Sequence, residues 1–480
     1  MIKPSLVALA VSALLAGCVT APKDAQTMVA PLDADQLGLS TTATMPAAAS
    51  NQWWTAFSDP QLNALVQQAM LHSPNLESAL ANLRSAQAQA GEAMSATGPD
   101  ISLSASETRQ KLSGTYTIPP PYGGHTYWIG SATVNLGWDL DFWGKQKSLV
   151  ESANNRVQAA ALDHAAAQLA VSGSVTRAYL ELCRAQALLN IAKQQQQQRQ
   201  QQLAITEARV KAGLDTELAL RNAQALLPQA KAAVIAAKNS QQLAVHQLAA
   251  LTGQGVAAYK SLGKTTANLK AALPVPSSLP IGLLARRPDI LAAKARVEAD
   301  KAAAKAAHAA FYPDISLSAL VGVQSVELSK MLSSDSLTYG AGPALSLPLF
   351  DAGRLRANYR GSIAAEDAAI AAYNQAVLTA VQQSSDQLSN IEAIKAQRQQ
   401  WQQSLVAAKA ALDLAKHNYQ AGIISQLQVL DVENRWLDAE RSIANFNVDL
   451  ALARVNLLLA IGGSFDPQLF HSTATSGVSS

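Results

Sequence analysis

The residues able to do acid–base, metal or nucleophilic chemistry are scattered along this sequence of 480 residues. The seven His are not spaced as metal ligands, and HExxH, GxxxxGK[ST], GxSxG and CxxC are all absent. Asp139 and Asp141 would share one face of a strand and could be read as a catalytic carboxylate pair. They lie at a strand end, however, which fits a polar pore lining or rim better. The sequence therefore predicts no enzyme active site, no metal and no cofactor.

Cys18 is the side chain for which the sequence predicts a covalent modification. Lys3 is followed by an apolar run from Leu6 to Ala16, which is typical of a signal peptide and too short to span a bilayer. Leu-Ala-Gly before Cys18 is the bacterial lipoprotein pattern, so we expect a signal peptide over residues 1–17 and a lipid on Cys18. An ordinary secretory signal with a coincidental Cys is the alternative. Val19, where an Asp would signal inner-membrane retention, favours the outer membrane.

Cys183 is the second of the two cysteines. If Cys18 carries lipid, Cys183 has no disulfide partner. It lies in a stretch with helical character, so we predict a buried side chain that behaves as a small apolar residue.

The sequence contains an internal duplication, which predicts that the secondary-structure elements occur in two similar sets. The heptapeptide at Pro99–Ala105 recurs at Pro313–Ala319, 214 residues further on, whereas Gly144 and Gly353 are separated by 209. The first copy therefore carries five extra residues, within about 106–143. We predict a lipidated segment over 18–60, repeats over 61–254 and 281–463, a linker over 255–280 and a tail over 464–480.

The composition favours long helices and argues against nucleic-acid binding. Apolar residues make up 49% of the chain but aromatic residues only 5%, so Ala and Leu dominate. Both are strong helix formers. Charged residues make up 15% and the net charge is +3, which offers no clustered basic surface for a nucleic acid.

Each repeat predicts one very long helix, a glycine turn and a second helix. The predicted helices are Ser148–Ala212, a tract from the turn at Gly213 to Leu251, Arg354–Ala421, and Gln426–Ala460 after the turn at Gly422. The first would be nearly 100 Å long at 1.5 Å per residue. Pro228 predicts a kink in the second helix. Gln194–Gln202 is interpreted as a solvated helix face, with disordered low complexity as the alternative.

Four short segments alternate between apolar and polar residues with the period of a strand. Trp128–Phe142 and Leu337–Leu349 alternate in this way, as do the segments that contain the two heptapeptides. Segments of about ten residues with one apolar face are typical of a transmembrane β-barrel, and Trp128, Trp138 and Phe142 would form its aromatic girdles. The face of a soluble β-sandwich is the alternative. Four strands cannot close a barrel, because bacterial outer-membrane barrels have at least about eight; a trimer would supply twelve.

A resemblance to a known family follows from motifs that run through most of the chain. The chain resembles the TolC-like outer-membrane efflux factors, in particular the lipoprotein branch with OprM and NodT-type proteins. The matching residues are Trp53, Trp54, Phe57 and Asp59, with Leu136–Gly144, Leu283–Ile290, Ala309–Leu317, Leu347–Gly353 and Tyr419–Gly422.

The resemblance implies an α+β membrane protein that forms a trimer. A 12-stranded β-barrel, four strands from each chain, would continue into a barrel of long helices that crosses the periplasm. Such a protein is a passive exit duct for drugs or toxic small molecules, joined to a periplasmic adaptor and an inner-membrane pump of the resistance-nodulation-division type. By the resemblance, the residues at the turns would contact the adaptor: Ala212, Gly213, Leu214, Ala421, Gly422 and Ile423. A type I protein-secretion duct and a structural lipoprotein that does not span the membrane are the alternatives.

The resemblance also implies a gate at the second turn. In the family, a Tyr, an Arg and two Asp three residues apart hold the helices closed. Tyr419 matches the Tyr and Asp431 the second Asp, whereas Gln428 and Ile424 stand at the other two positions. The prediction is therefore that hydrogen bonds from Tyr419 and Gln428, with a ring of Asp431, close the pore.

Overall fold

The structure, a computed structural model, describes residues 20–22, 25–32, 50–115, 118, 121–260, 262–276 and 286–467. In these ranges the chain forms long helices and one antiparallel sheet, as the α+β prediction requires. The elements in chain order are α1 (Pro60–His72), α2 (Pro74–Ser95), β1 (Asp100–Lys111), β2 (Thr126–Leu140), α3 (Lys145–Lys211), α4 (Glu217–Leu251), α5 (Pro288–Ala309), β3 (Asp314–Ser325), β4 (Leu337–Ser346), α6 (Arg354–Gln420) and α7 (Gln426–Ala460).

The chain divides into two compact units. The sheet unit consists of the described residues within 1–31, 82–160 and 293–373, and contains all four strands with the helix segments next to them. The helical unit consists of the described residues within 32–81, 161–292 and 374–480, and contains both long-helix turns. Each unit draws on both halves of the duplicated sequence, so the two repeats do not fold as separate domains.

The sheet has the strand order β1-β2-β3-β4, and every neighbouring pair is antiparallel. Directly paired residues point to the same face, and one continuous apolar row crosses all four strands: Leu103, Val134, Val321 and Tyr339. These four side chains are between 41% and 79% exposed. The next residues along the strands form the opposite row of Ser104, Thr133, Gly322 and Thr338. The alternation predicted from the sequence is confirmed.

Two strands end earlier than predicted. β2 ends at Leu140 rather than Phe142, because Leu140 pairs with Ile315 at the start of β3 and the chain then leads into α3. In the first turn of α3, the Lys147 backbone N–H donates to the Asp141 carboxylate at 2.8 Å. β4 ends at Ser346 rather than Leu349, since Ser346 pairs with Asp314, the first residue of β3. Phe142 therefore lies in the connection after the strand, not on its apolar face.

The long helices form as predicted. α3 and α6 each have 67 residues, and at about 1.5 Å per residue each is roughly 100 Å long. The Gln-rich run lies inside α3, and α4 continues through Pro228, so the proline does not end that helix. By length and composition, one described helix could cross a membrane: α7, of which 44% of the most apolar window is buried.

The core of the helical unit surrounds a turn of 3-10 helix at Trp53–Phe57. It contains Trp53, Trp54 and Phe57 from this turn, Leu62 and Val66 of α1, Val175, Tyr179 and Leu182 of α3, Leu248 of α4, and Val455 and Leu458 of α7. Cys183 is buried beside this core as predicted, and burial raises the pKa of its thiol to about 11.

Asp59 is a buried carboxylate next to these aromatic residues, and it links three segments of the core by hydrogen bonds. It caps α1 by accepting from the Gln61 backbone N–H at 2.9 Å, and its other oxygen accepts from the Tyr179 hydroxyl at 2.7 Å and from the Thr266 backbone N–H at 2.8 Å. Burial alone would raise the pKa of Asp59, but these hydrogen bonds outweigh it and lower the pKa below its ordinary value.

Asp59 should make the fold sensitive to acid. Because the folded-state pKa is depressed, its stabilisation is fully present above about pH 4 and is lost as the pH falls through the folded-state value. Asp59→Asn should lower the free energy of unfolding by about 1–3 kcal/mol at neutral pH, since it removes a charged acceptor. The variant should also lose less stability than the wild type as the pH falls. Chemical unfolding followed by circular dichroism between pH 3 and 7 would measure both effects. If the free energy of unfolding falls with decreasing pH as steeply in the variant as in the wild type, the assignment is contradicted.

Arg287 shows the structural role of the Arg-Arg-Pro-Asp run at residues 286–289, which lies within the matching segment Leu283–Ile290. Its guanidinium donates to both carboxylate oxygens of Asp289, at 3.0 and 2.7 Å, and to the Ala460 carbonyl at 2.9 Å. Ala460 is the last residue of α7, whose terminal carbonyls have no partner within the helix. Arg287 therefore joins the start of α5 to the end of α7. Gly462 follows with φ +94°, a conformation that favours glycine.

Candidate functional site: the apolar sheet face and the helix turns

The two tryptophans predicted for the aromatic girdles lie on the apolar face of β2. They are ten residues apart, about 33 Å along a strand at roughly 3.3 Å per residue. A strand tilted by about 40° would reduce this separation to roughly 25 Å along the membrane normal, the height of the apolar band of outer-membrane barrels. Trp128 lies beneath the Arg109 guanidinium at 5.8 Å, and the Trp138 indole donates to the Thr97 carbonyl at 3.0 Å.

Phe142, the third predicted girdle residue, lies two residues beyond β2 and is exposed. Its neighbour Trp143 stacks on Tyr312 with ring centroids 5.0 Å apart and donates its indole N–H to the Pro313 carbonyl at 2.8 Å. The aromatic residues at this end of the sheet therefore continue from the strand into the connection to α3. Sequence alternation alone did not identify Trp143, because it does not lie on a strand.

The two turns between long helices have the same geometry. Gly213 and Gly422 adopt left-handed φ values of +72° and +77°, and the next residue donates back to the carbonyl five positions earlier: Leu214 to Arg209 and Ile423 to Asn418, each at 2.8 Å. This is the Schellman arrangement that ends a helix at glycine. All six predicted adaptor-contacting residues lie in these turns and are exposed, with Leu214 at 67% and Ile423 at 70%.

Tyr419 joins the two turns by a contact that the sequence did not predict. Its side chain is buried, and its hydroxyl donates to the Asp215 carboxylate at 3.0 Å. The Arg209 guanidinium lies over the Tyr419 ring at 4.8 Å and 3.5 Å from the same carboxylate. Burial and the bond to Asp215 raise the pKa of Tyr419. These three side chains, here called the turn lock, connect the first hairpin to the second.

The other two predicted gate residues have local partners within one chain. Gln428 completes a capping box with Ser425 at the start of α7, where its side-chain oxygen accepts from the Ser425 backbone N–H at 3.0 Å. Asp431 is exposed and pairs with Arg435 at 2.7 Å on the same helix. Neither residue is bonded to Tyr419. Their joint role with Tyr419 across copies of the chain stays a prediction.

The internal duplication contains the signal that could have identified the turn lock. At the 209-residue offset, Arg209 corresponds to Asn418, Val210 to Tyr419 and Asp215 to Ile424. The lock is therefore built from positions at which the two copies differ. In these two turns, the charges and the hydroxyl that occur in only one copy are the groups that make the contact between them.

A row of polar contacts joins α3 to α7. From the turns towards the centre of the helices, the Gln426 amide donates to the Thr206 hydroxyl at 3.0 Å, Arg199 pairs with Glu433, and Arg441 donates to Gln195 at 2.6 Å. Arg199 and Glu433 are both buried. One side of the Gln-rich run therefore packs against α7, although the opposite side is solvated as predicted.

No group of three or more His, Cys, Asp or Glu placed to hold a metal ion occurs among the described residues. Cys18, the predicted lipidation site, lies outside the described residues. The observed site therefore consists of a sheet face, two exposed turns and the contacts that hold the turns together.

A sheet with one exposed apolar face, connected directly to helices of this length with paired turns, is the architecture of outer-membrane channels with a TolC-like fold. The chain belongs to the outer membrane efflux protein family, whose sequence profile matches residues 65–254 and 279–463.

Named relatives agree with this assignment. The fusaric acid resistance protein FusA of Burkholderia cepacia is 36% identical over 362 residues, covering 74% of this chain and 68% of that protein. The multidrug resistance outer membrane protein MdtQ of Escherichia coli O157:H7 is 30% identical over 472 residues, covering 91% and 96%. The outer membrane protein VceC of Vibrio cholerae, whose crystal structure is known, is 33% identical in sequence. Its structure matches with a TM-score of 0.82 and covers 88% of this chain and 100% of that one.

The predicted resemblance to TolC-like outer-membrane efflux factors, the α+β channel fold and the outer-membrane localisation are thereby confirmed. The lipoprotein branch and the lipid anchor on Cys18 stay predictions. The protein is an outer-membrane efflux channel, and its long helices extend into the periplasm.

Proposed function

We propose that three copies of this chain form one passive exit duct for toxic small molecules, anchored to the outer membrane by a lipid on Cys18. The observation that carries this proposal is a four-stranded sheet that has an exposed apolar face and is open at both edges. In the described part of a single chain, β1 and β4 each pair on one side only. An open edge in lipid leaves backbone groups unpaired at a cost of several kcal/mol each.

Assembly supplies the missing strand partners. Twelve strands from three chains lie within the range of bacterial outer-membrane barrels, which have at least about eight and an even number. The polar row of Ser104, Thr133, Gly322 and Thr338 would then face the water-filled interior. The protein moves its cargo as a duct and carries out no catalysis of its own.

The energy for export would come from an inner-membrane pump of the resistance-nodulation-division type, connected through a periplasmic adaptor. The exposed turns support this arrangement because each presents two exposed apolar side chains four residues apart, one in the turn and one in the first turn of the following helix. These pairs are Leu214 with Leu218, and Ile423 with Leu427. Exposed apolar pairs at matching positions in both repeats offer repeated docking points.

Loss of these apolar side chains should uncouple the duct from its adaptor. The double variant Leu214→Ser/Ile423→Ser should lose adaptor binding by tenfold or more, while it still inserts and conducts. Co-purification with the adaptor and drug susceptibility of the cell would measure the loss. Leu243→Ser, which removes an exposed leucine of α4 away from the turns, is the matched control. Equal adaptor binding by the double variant and the control would contradict the assignment.

The relatives suggest the class of cargo. FusA is named for resistance to fusaric acid and MdtQ for multidrug resistance, so aromatic organic acids and amphiphilic drugs are the substrates proposed for this chain. Deletion of the gene, followed by susceptibility profiling against both groups, tests this. Unchanged susceptibility together with loss of a secreted protein would favour the type I secretion duct instead.

A further inference from the structure

A cleft of about 810 Å³ lies in the sheet unit beside the ends of the strands. It is lined by the start of α3, the last turns of α5, the first turns of α6 and residues 25–27 of the N-terminal segment. Its volume is within the range of about 300–1,000 Å³ that is typical of small-ligand sites. Its lining includes none of the turn residues or candidate gate residues, so this cleft has no part in the functions proposed above.

The lining carries charges of both signs. Lys147, Lys301 and Lys305 contribute three ammonium groups, and Glu151 and Glu366 contribute two carboxylates. Among the described residues, Lys147 and Lys305 have no ion-pair partner, and Lys301 reaches Glu298 only at 3.8 Å. These ammonium groups are therefore available to an anion.

Aromatic rings form another part of the lining. Trp143 stacks on Tyr312, and His308 lies edge-on to Tyr312 at 5.8 Å and to Tyr359 at 5.5 Å. Trp and Tyr side chains are enriched where a protein passes from the apolar core of a bilayer into its headgroup layer. The faces of such rings also attract ammonium groups.

The cleft lies at the level expected for lipid headgroups. Lys147 is two residues into α3 and Lys305 is four residues before the end of α5, so both lie within about 6 Å of the helix ends nearest the strands. The headgroup layer on each side of a bilayer is roughly 5–8 Å thick. Long lysine side chains can direct their ammonium groups into this layer from either side.

The N-terminal segment indicates that the cleft faces the lipid rather than the pore. The backbone N–H groups of Met28 and Val29 donate to the Asp367 carboxylate at 2.9 and 3.1 Å. Residues 25–27 lie beside Tyr359 and Ile363, which are closer to the start of α6 and thus to the strands. Residues 25–29 therefore run towards the strands in the N-terminal direction. This is the direction from which the lipid proposed on Cys18 would enter the bilayer, on the outer wall of the barrel.

We infer that this cleft binds the headgroup of a phospholipid of the periplasmic leaflet that carries both a phosphate and a primary ammonium group. Lys147, Lys301 and Lys305 hold the phosphate, while Glu151, Glu366 and the aromatic faces hold the ammonium. The inference rests on the membrane placement and lipid anchor proposed above. Three cations beside two carboxylates fit a zwitterion better than a simple anion.

Phosphatidylethanolamine provides the probe. The full-length lipidated channel, delipidated and then incubated with phosphatidylethanolamine in detergent, should retain about one lipid per chain in native mass spectrometry. Lys147→Gln/Lys305→Gln should lower retention about tenfold or more, because the lipid phosphate loses two of its three charged hydrogen-bond donors. Lys193→Gln/Lys294→Gln removes two exposed charges from the same two helices outside the cleft and should retain the lipid.

A second variant tests the ammonium half of the site. Glu151→Gln/Glu366→Gln should abolish the preference for phosphatidylethanolamine over phosphatidylglycerol, while phosphatidylglycerol still binds. Equal retention by the two lysine variants would overturn the inference, because the lipid would then bind elsewhere on the sheet. Displacement by inorganic phosphate at the lipid concentration would also overturn it in favour of a small-anion site. Single-channel conductance of the same variants should be unchanged, so a failure of this inference is distinguishable from a failure of the duct.

Discussion

Tyr419→Phe is expected to raise the closed-state conductance of the channel in planar bilayers roughly tenfold. The substitution keeps the ring beneath Arg209 but removes the hydroxyl that donates to Asp215. A hydrogen bond to a charged acceptor contributes about 1.5 kcal/mol or more, which corresponds to about a tenfold change in an equilibrium. Because the bond joins the first hairpin to the second, its loss should favour any state in which the two turns separate.

The control for this prediction is Tyr373→Phe, the same substitution on the same helix at a distance from the turns. It should leave the closed-state current unchanged. Asp431→Ala tests the ring of carboxylates predicted from the sequence. Raised leak in Asp431→Ala but not in Tyr419→Phe would assign the gate to that ring rather than to the turn lock. Unchanged leak in both variants would contradict a gate at this position.

The elements of the fold could be predicted from the sequence because their signals are local. Period-two alternation identified the strands, and the absence of Pro and Gly identified α3, α6 and α7. The duplicated heptapeptide showed that β1 and β3 are equivalent. The strand ends were less well predicted, since the hydrogen bond between Asp141 and Lys147 that accompanies the end of β2 involves a helix residue rather than a strand neighbour.

The contacts of the candidate gate could not be predicted in the same way. Tyr419 was identified through the family resemblance, but its partner Asp215 is 204 residues away and belongs to the other hairpin. Arg199 was the single charge in a Gln-rich run, and its partner Glu433 is 234 residues away. Neither pairing follows from periodicity, because each depends on how two long helices lie side by side.

Glu433→Leu is expected to destabilise the protein by about 3–5 kcal/mol, because it leaves the buried Arg199 guanidinium without its carboxylate partner. Asn434, which accepts from Arg199 at 3.1 Å, is neutral and cannot replace that charge. The midpoint of chemical unfolding, followed by far-UV circular dichroism in detergent, should fall accordingly. The exposed pair Lys409–Asp413 supplies the control: Asp413→Leu should change stability by less than about 1 kcal/mol.

The double variant Arg199→Met/Glu433→Leu distinguishes the cost of an unpaired charge from the value of the pair itself. Buried ion pairs repay their desolvation poorly, so two apolar side chains of similar volume should restore most of the stability lost in Glu433→Leu. If the stability is restored but the closed-state conductance rises, the pair specifies the register of α3 against α7 rather than the stability of the fold. A double variant no more stable than Glu433→Leu would show that the unpaired Arg199 is not the cause of the loss.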